Sequence, residues 1–275
     1  DQYIYFTEDA RTIYQDDGTS RISFLAPLSW EDVNFKNIFI LENTLLVIKS
    51  STYDNVIRVY SISKDALGNG HEEEDWELIK KLDAPIYGTQ EIGNFTNISG
   101  KLFFSFRTNY DNVKPTDELW ICDGTEDGTL MLKSFDRLRY FYQSEMSMFF
   151  AFQGKLFFRA GEPSNRSLWT SNGTPEGTIK FHDVIITPPY NDQRIPVIIT
   201  ENNIYFSGAM ANDSYNVELW SSDGTYINTK QVFDLEDDGG SFPHDFSFSN
   251  DVLYFLTSIQ FSATLWSTVP VADIS

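Results

Sequence analysis

Three stretches of this chain are copies of one another: ELWICDGT at 118–125, SLWTSNGT at 167–174 and ELWSSDGT at 218–225. The first two continue with Gly128-Thr129 and Gly177-Thr178 at the same offset, where the third has Asn228-Thr229. Looser copies stand at Thr12-Ile13-Tyr14, at Arg58-Val59-Tyr60-Ser61 and at Thr264-Leu265-Trp266-Ser267. The aromatic anchors Tyr14, Tyr60, Trp120, Trp169, Trp220 and Trp266 are 46, 60, 49, 51 and 46 residues apart. A period of about 40–50 residues is that of a four-stranded propeller blade.

An apolar run precedes each anchor: Ile4-Tyr5-Phe6, Leu45-Leu46-Val47, Leu102-Phe103-Phe104, Leu156-Phe157-Phe158, Ile204-Tyr205-Phe206 and Leu253-Tyr254-Phe255. Turn residues such as Ser99-Gly100, Gln153-Gly154 and Asn202-Asn203 lead into them, so they read as strands entered through tight hairpins. Continuous apolar runs mean that both strand faces are buried, which a blade achieves by packing on a neighbour through each face. The expectation is an all-β chain, a β-propeller of about six four-stranded blades near 1–30, 31–90, 91–140, 141–190, 191–240 and 241–275, in one domain. With strands named a to d, the apolar run is b and the Leu-Trp segment c. The first blade then lacks strand a, and the sixth lacks d unless Val271–Ile274 supplies it. The long step from Tyr60 to Trp120 reflects an acidic insertion around Asp65–Asp75.

The repeated turn has a local rationale. Asp123, Asn172 and Asp223 can accept backbone N–H bonds as Asx-turn residues. In Thr174-Pro175-Glu176-Gly177, Pro175 suits a type I turn and Gly177 is expected to be the left-handed residue that closes it. The D-G-T element therefore reads as structural. The motif as it stands at 118–125 and 218–225 resembles the ELWxxDGT-repeat proteins, closely over 118–234 and more loosely at both ends. That resemblance implies a propeller of the kind found in large exported or surface proteins, and it brings no established catalytic residue.

Forty acidic against twenty basic side chains leave a net charge of −20, which repels phosphate backbones and argues against a nucleic-acid partner. Cys122 is the single cysteine, so no internal disulfide or multi-cysteine metal site is expected. No apolar run approaches the roughly 20 residues of a membrane-spanning helix, and Asp1 as first residue reads as a trimmed or processed segment. N-x-S/T triplets begin at Asn94, Asn97, Asn165, Asn172 and Asn212, which adds modestly to an extracellular or cell-surface reading.

Because strands alternate in direction, the a–b and c–d turns share one rim and the b–c and d–a connections share the other. The first set is short and repetitive. The second is long and variable, with segments 107–117, 137–145, 161–166, 186–194, 208–216 and 236–243 assigned to it. Variable loops on a regular scaffold are where binding surfaces form. Arg107, Tyr110, Arg137, Arg139, Tyr140, Tyr142, Tyr190, Arg194 and Tyr215 are the candidate ligand-binding residues, since aromatics with nearby charges suit a carbohydrate or protein partner. No catalytic residue is assigned: His71, His182 and His244 have no metal-ligand spacing, and no G-x-S-x-G occurs. The competing reading is a glycosidase whose two carboxylates come from different blades. No cofactor is expected beyond calcium at Glu236, Asp237 and Asp238, a run that lacks the EF-hand pattern and reads first as a solvated loop.

Overall fold

The computed structural model of the chain describes residues 4–7, 12–16, 18–25, 34–50, 56–63, 75–83, 89–109, 115–136, 146–161, 166–188, 196–236, 239–259 and 262–268. These form antiparallel sheets that follow one another along the chain. The first holds β1 (Ile4–Thr7), β2 (Thr12–Asp16) and β3 (Arg21–Leu25); the second β4 (Asn34–Leu41), β5 (Thr44–Ser50), β6 (Val56–Ser63) and β7 (Glu77–Asp83). The third holds β8 (Thr89–Ile98), β9 (Lys101–Asn109), β10 (Thr116–Cys122) and β11 (Leu130–Asp136); the fourth β12 (Ser147–Phe152), β13 (Lys155–Ala160), β14 (Ser167–Ser171) and β15 (Ile179–His182). The fifth contains β16 (Val184–Ile186), β17 (Val197–Ile199), β18 (Ile204–Met210), β19 (Glu218–Ser222) and β20 (Lys230–Phe233), and the sixth β21 (His244–Ser249), β22 (Val252–Ile259) and β23 (Ser262–Ser267). The chain divides into two compact units, 1–139 with the first three sheets and 140–275 with the last three. Among the described residues no helix is long and apolar enough to cross a membrane.

Each anchor pairs with the same position of the strand before it: Tyr14 with Phe6, Tyr60 with Val47, Trp120 with Phe104, Trp169 with Phe158, Trp220 with Phe206 and Trp266 with Phe255. The register shifts at the anchor in the pairing to the following strand, at Val59/Tyr60, Leu119/Trp120, Leu168/Trp169 and Leu219/Trp220. A bulge there adds local twist to the outer strand. One repeated dipeptide thus sets both register and twist.

The anchor and the residue before it point to opposite faces of the strand. In unit 1, Ile13 of the first sheet shares a cluster with Leu45, Val47 and Tyr60 of the second, and Val59 of the second with Leu102, Phe104 and Trp120 of the third. In unit 2, Leu168 of the fourth sheet packs with Ile204, Phe206 and Trp220 of the fifth, and Leu219 of the fifth with Leu253 and Phe255 of the sixth. The aliphatic residue therefore faces the following sheet, and the aromatic faces the preceding one. Fully burying a Leu side chain is worth about 1.5–3 kcal/mol, repeated at every such junction.

One expectation needs correction. The stretch 186–194 is not a d–a connection: β16 and β17 both pair with β18, so strand a of the fifth sheet is made of two segments. Hydrogen bonds from Thr187 N to Ser207 O and from Ser207 N to Pro196 O hold the two halves on β18. The fifth sheet accordingly begins at Val184, and Asp183 alone connects it to β15. The possible last strand at Val271–Ile274 and the insertion at Asp65–Glu74 lie outside the described residues.

Candidate functional site

The short c–d turns satisfy their own Asx and threonine side chains. In the third sheet, Asp123 Oδ1 accepts from Thr125 N (3.0 Å) and Thr125 Oγ1 (2.7 Å), Thr125 Oγ1 accepts from Gly128 N, and Thr129 Oγ1 donates to Thr125 O. The fourth sheet repeats this with Asn172, Thr174, Gly177 and Thr178, and the fifth with Asp223, Thr225, Asn228 and Thr229. The left-handed residue is the first glycine, at Gly124 (φ 95), Gly173 (φ 89) and Gly224 (φ 86), and not Gly177. Gly177 and Gly128 leave room for the Asx side chain, since a Cβ there would stand 1.9 Å from the present position of Asn172 Oδ1 or Asp123 Oδ1. Where Asn228 replaces that glycine, its Nδ2 donates to Asp223 Oδ2 at 2.6 Å. The Thr225 hydroxyl, then the Asn228 amide, hold the Asp223 carboxyl below its ordinary value.

The opposite rim of the fifth sheet is built differently. The b–c connection 211–217 and the d–a connection 234–243 touch backbone to backbone, and a Cβ on Gly240 would come within 2.4 Å of Val217 N and 2.8 Å of Tyr215 O. Phe242 N donates to Val217 O at 3.0 Å. Beneath them Glu218 is fully buried; its Oε1 accepts from Ser241 N (2.9 Å), and its Oε2 from Ser241 Oγ (2.5 Å) and Leu235 N (3.4 Å). Burial raises the Glu218 carboxyl, and the donors from Ser241 and Leu235 only partly offset it. Above this clamp Tyr215 is 85% exposed. Beside it the buried Asn216 Oδ1 has no hydrogen-bond partner among the described residues.

Arg107 lies in β9 rather than in a loop, with Nη1 on Glu91 at 2.7 Å and Nε on the buried Asp117 at 3.3 Å. Carboxylates on both flanking strands consume the guanidinium, so it braces the third sheet. Tyr110, Arg137, Arg139, Tyr140, Tyr142, Tyr190 and Arg194 lie outside the described residues, as do His71, Asp237 and Asp238. Glu236 is described and half-buried, and no group of three or more metal-ligating side chains occurs among the described residues. His182 packs on Tyr226 and Trp220, its Nδ1 accepting from Val184 N, and burial lowers its pKa. Buried Cys122 accepts from Gly124 N and its Sγ lies 3.2 Å from Thr129 Oγ1, and burial raises its thiol. A cavity of about 360 Å³ on the fourth sheet, lined by Lys155, Phe157, Ile179, Phe181 and Tyr226 among others, lies on the short-turn side.

Sequence reasoning missed a hydrogen-bonded line in the sixth sheet: Asp245 Oδ2 to His244 Nδ1 (3.0 Å) and His244 Nε2 to Ser258 Oγ (2.8 Å). The order is that of an acid, base and nucleophile. The backbone around Ser258 argues against acyl transfer: Ser258 N donates to Ser241 O at 3.1 Å, and Ser258 and Ile259 pair with Ala263 and Ser262. An oxyanion needs preorganised donors aimed at it, and Ser258's own N–H is spent.

No family model and no curated protein matches the sequence. Solved structures do. The chain is similar to an oligogalacturonate lyase in complex with manganese (12% identity, 98% of this chain and 74% of that chain, TM-score 0.50). A second match is the β-propeller domain of the Trilobed protease from Pyrococcus furiosus (12% identity, 94% and 72% coverage, TM-score 0.42). At 12% identity such likeness concerns the fold alone. A β-propeller is the fold supported. The chemistry of neither protein is carried over.

Proposed function

We propose that the chain is a binding or assembly module of an exported or cell-surface protein, of the ELWxxDGT-repeat kind. Its six sheets serve as propeller blades, and its b–c and d–a connections recognise a glycan or a protein partner. The observation that carries this reading is the contrast between rims. In the c–d turns the Asx side chains and threonine hydroxyls are spent on the turn itself, with Tyr226 and Ile227 exposed on that of the fifth sheet, whereas the fifth sheet's opposite rim presents Tyr215 85% exposed on a loop pair braced by a buried carboxylate. A flat, exposed aromatic with polar neighbours offers apolar contact and orientation at low entropic cost. The net charge of −20 favours a neutral or basic partner over an anionic one.

A second reading, a glycan-active enzyme, draws on Glu218 and on the Ser258–His244–Asp245 line. Glycoside hydrolysis needs two carboxyl groups facing one sugar. Glu218 is enclosed and already accepts from three donors. A glycan array run beside a hydrolysis screen, with a fluorophosphonate probe for Ser258, separates the readings. Binding without turnover and without labelling is expected. Turnover lost in Glu218→Gln or Ser258→Ala overturns the binding-module reading.

A further inference from the structure

The tip of the repeated c–d turn carries Glu126-Asp127 in the third sheet and Pro175-Glu176 in the fourth, but Tyr226-Ile227 in the fifth. An acid stands at both sister tips, and an aromatic replaces it here. Tyr226 is held in place: its ring packs on His182 with centroids 4.9 Å apart. The turn itself rests on the fourth sheet, where a Cβ on Gly224 would stand 2.9 Å from Gln153 Oε1 and 3.2 Å from Phe152 Cε1. Between Tyr226 and the fourth sheet lies the cavity of about 360 Å³, and its lining residues all belong to the second compact unit. Phe157, Ile179 and Phe181 form its apolar wall, with the rings of Phe157 and Phe181 edge to face at 5.1 Å. The polar lining is one-sided. Thr170 donates its hydroxyl to Leu156 O at 3.0 Å, and the charged lining residues are Lys155 and Lys180, with no carboxylate among the described ones. Lys180 is paired with Asp183, whereas no ion pair holds the Lys155 ammonium among the described residues.

We infer that this cavity is a second binding site, which takes a small carboxylate carried on an aromatic ring. The ring lies against Tyr226 and the Phe157–Phe181 wall, and the carboxylate meets Lys155. A concave, mostly aromatic lining with one or two charges at its edge suits such a ligand, because the apolar body supplies contact and the charge fixes orientation. A sugar is the poorer fit: its hydroxyls need several fixed donors and acceptors, and the Thr170 hydroxyl is already engaged. A polyanion is opposed by the net charge of −20, which a single carboxylate on a free lysine escapes in large part. Tyr215 does not line this cavity, so the inference stands independently of the rim proposed for a glycan or protein partner.

Equilibrium dialysis of the full chain against cinnamate tests this, with its neutral isostere cinnamamide and with glucuronate as comparisons. Cinnamate should bind at a single site, more tightly than cinnamamide, with glucuronate weakest. Tyr226→Ala should weaken cinnamate by about tenfold, through loss of the ring that closes the cavity. Lys155→Gln should weaken cinnamate by about threefold to fivefold and leave cinnamamide unchanged, and Lys155→Arg should restore cinnamate. Both side chains are exposed, so these variants should keep the wild-type melting temperature. Tyr215→Ala should bind cinnamate as the wild type does, which keeps this test apart from that of the opposite rim. Failure of cinnamate to bind, equal affinity for the acid and its amide, or binding unchanged in Tyr226→Ala each overturns the inference. Glucuronate held more tightly than cinnamate overturns it as well, and makes the cavity a sugar subsite.

Discussion

Two carboxylates five residues apart stand at opposite ends of β19 and meet opposite fates. Asp223, at the c–d turn, is held below its ordinary pKa by hydrogen bonds from its own turn, beginning with the Thr225 hydroxyl. Glu218, at the other end, is raised because burial outweighs the donors of Ser241 and Leu235. The Asp223 partners are two to five residues away, and the more distant Glu218 partner is 23 away. The short-turn rim is thus a local solution that a repeat can copy. The long-connection rim depends on one distant, unrepeated pairing, and so it can vary from sheet to sheet.

The largest test of this contrast is Glu218→Ala, which leaves Ser241 N, Ser241 Oγ and Leu235 N without their acceptor. It should cost about 2–4 kcal/mol in chemical denaturation. A loss under about 0.5 kcal/mol would mean that the clamp is an idle contact. Asn172→Ala, which removes one Asx acceptor from a solvent-facing turn, should cost about 0.5–2 kcal/mol by analogy with other side-chain caps. If it equals Glu218→Ala, the two rims do not differ in kind.

The pH dependence should run in opposite directions. Asp223, with its folded-state pKa lowered, contributes stability above the ordinary aspartate range that is lost as pH falls through the lowered value. Glu218, with its folded-state pKa raised, contributes stability below the ordinary glutamate range that is lost as pH rises through the raised value. Relative to wild type, Asp223→Asn should therefore be most harmful near neutrality, and Glu218→Gln most harmful in acid. Parallel slopes for the two variants would show that one environment has been misread. Smallest of all, Tyr215→Ala should shift stability by no more than about 0.5 kcal/mol, because the side chain touches almost nothing.

The repeat makes the strands and the anchor register legible in the sequence. Leu-Trp places two opposite faces at once, and the apolar run before it fixes the partner strand. The turn is legible in its Asx residue but not in its glycines: Gly177 reads as the left-handed residue, whereas Gly173 is, and Gly177 instead leaves space beside Asn172. The split strand was hidden because Val184-Ile185-Ile186 and Val197-Ile198-Ile199 each look like half a strand, with Pro188 and Pro189 between them. Arg107 reads as a loop residue in the sequence because the cross-strand pairing that neutralises it, with Glu91 and Asp117, has no sequence signature. The Glu218–Ser241 clamp was illegible for the same reason. Ser241 belongs to a stretch that repeats nowhere, and Glu118 at the equivalent position bonds Trp120 Nε1 instead.

The central claim is that the b–c and d–a connections form the working surface while the c–d turns serve the fold. One glycan array, run on wild type, Tyr215→Ala and Asn172→Ala with melting temperatures recorded alongside, tests it most directly. The account predicts that Tyr215→Ala weakens the wild-type signal at an unchanged melting temperature, and that Asn172→Ala lowers the melting temperature and keeps the signal. Loss of signal in Asn172→Ala at unchanged stability, with Tyr215→Ala binding as wild type, would contradict it and place the working surface on the opposite rim.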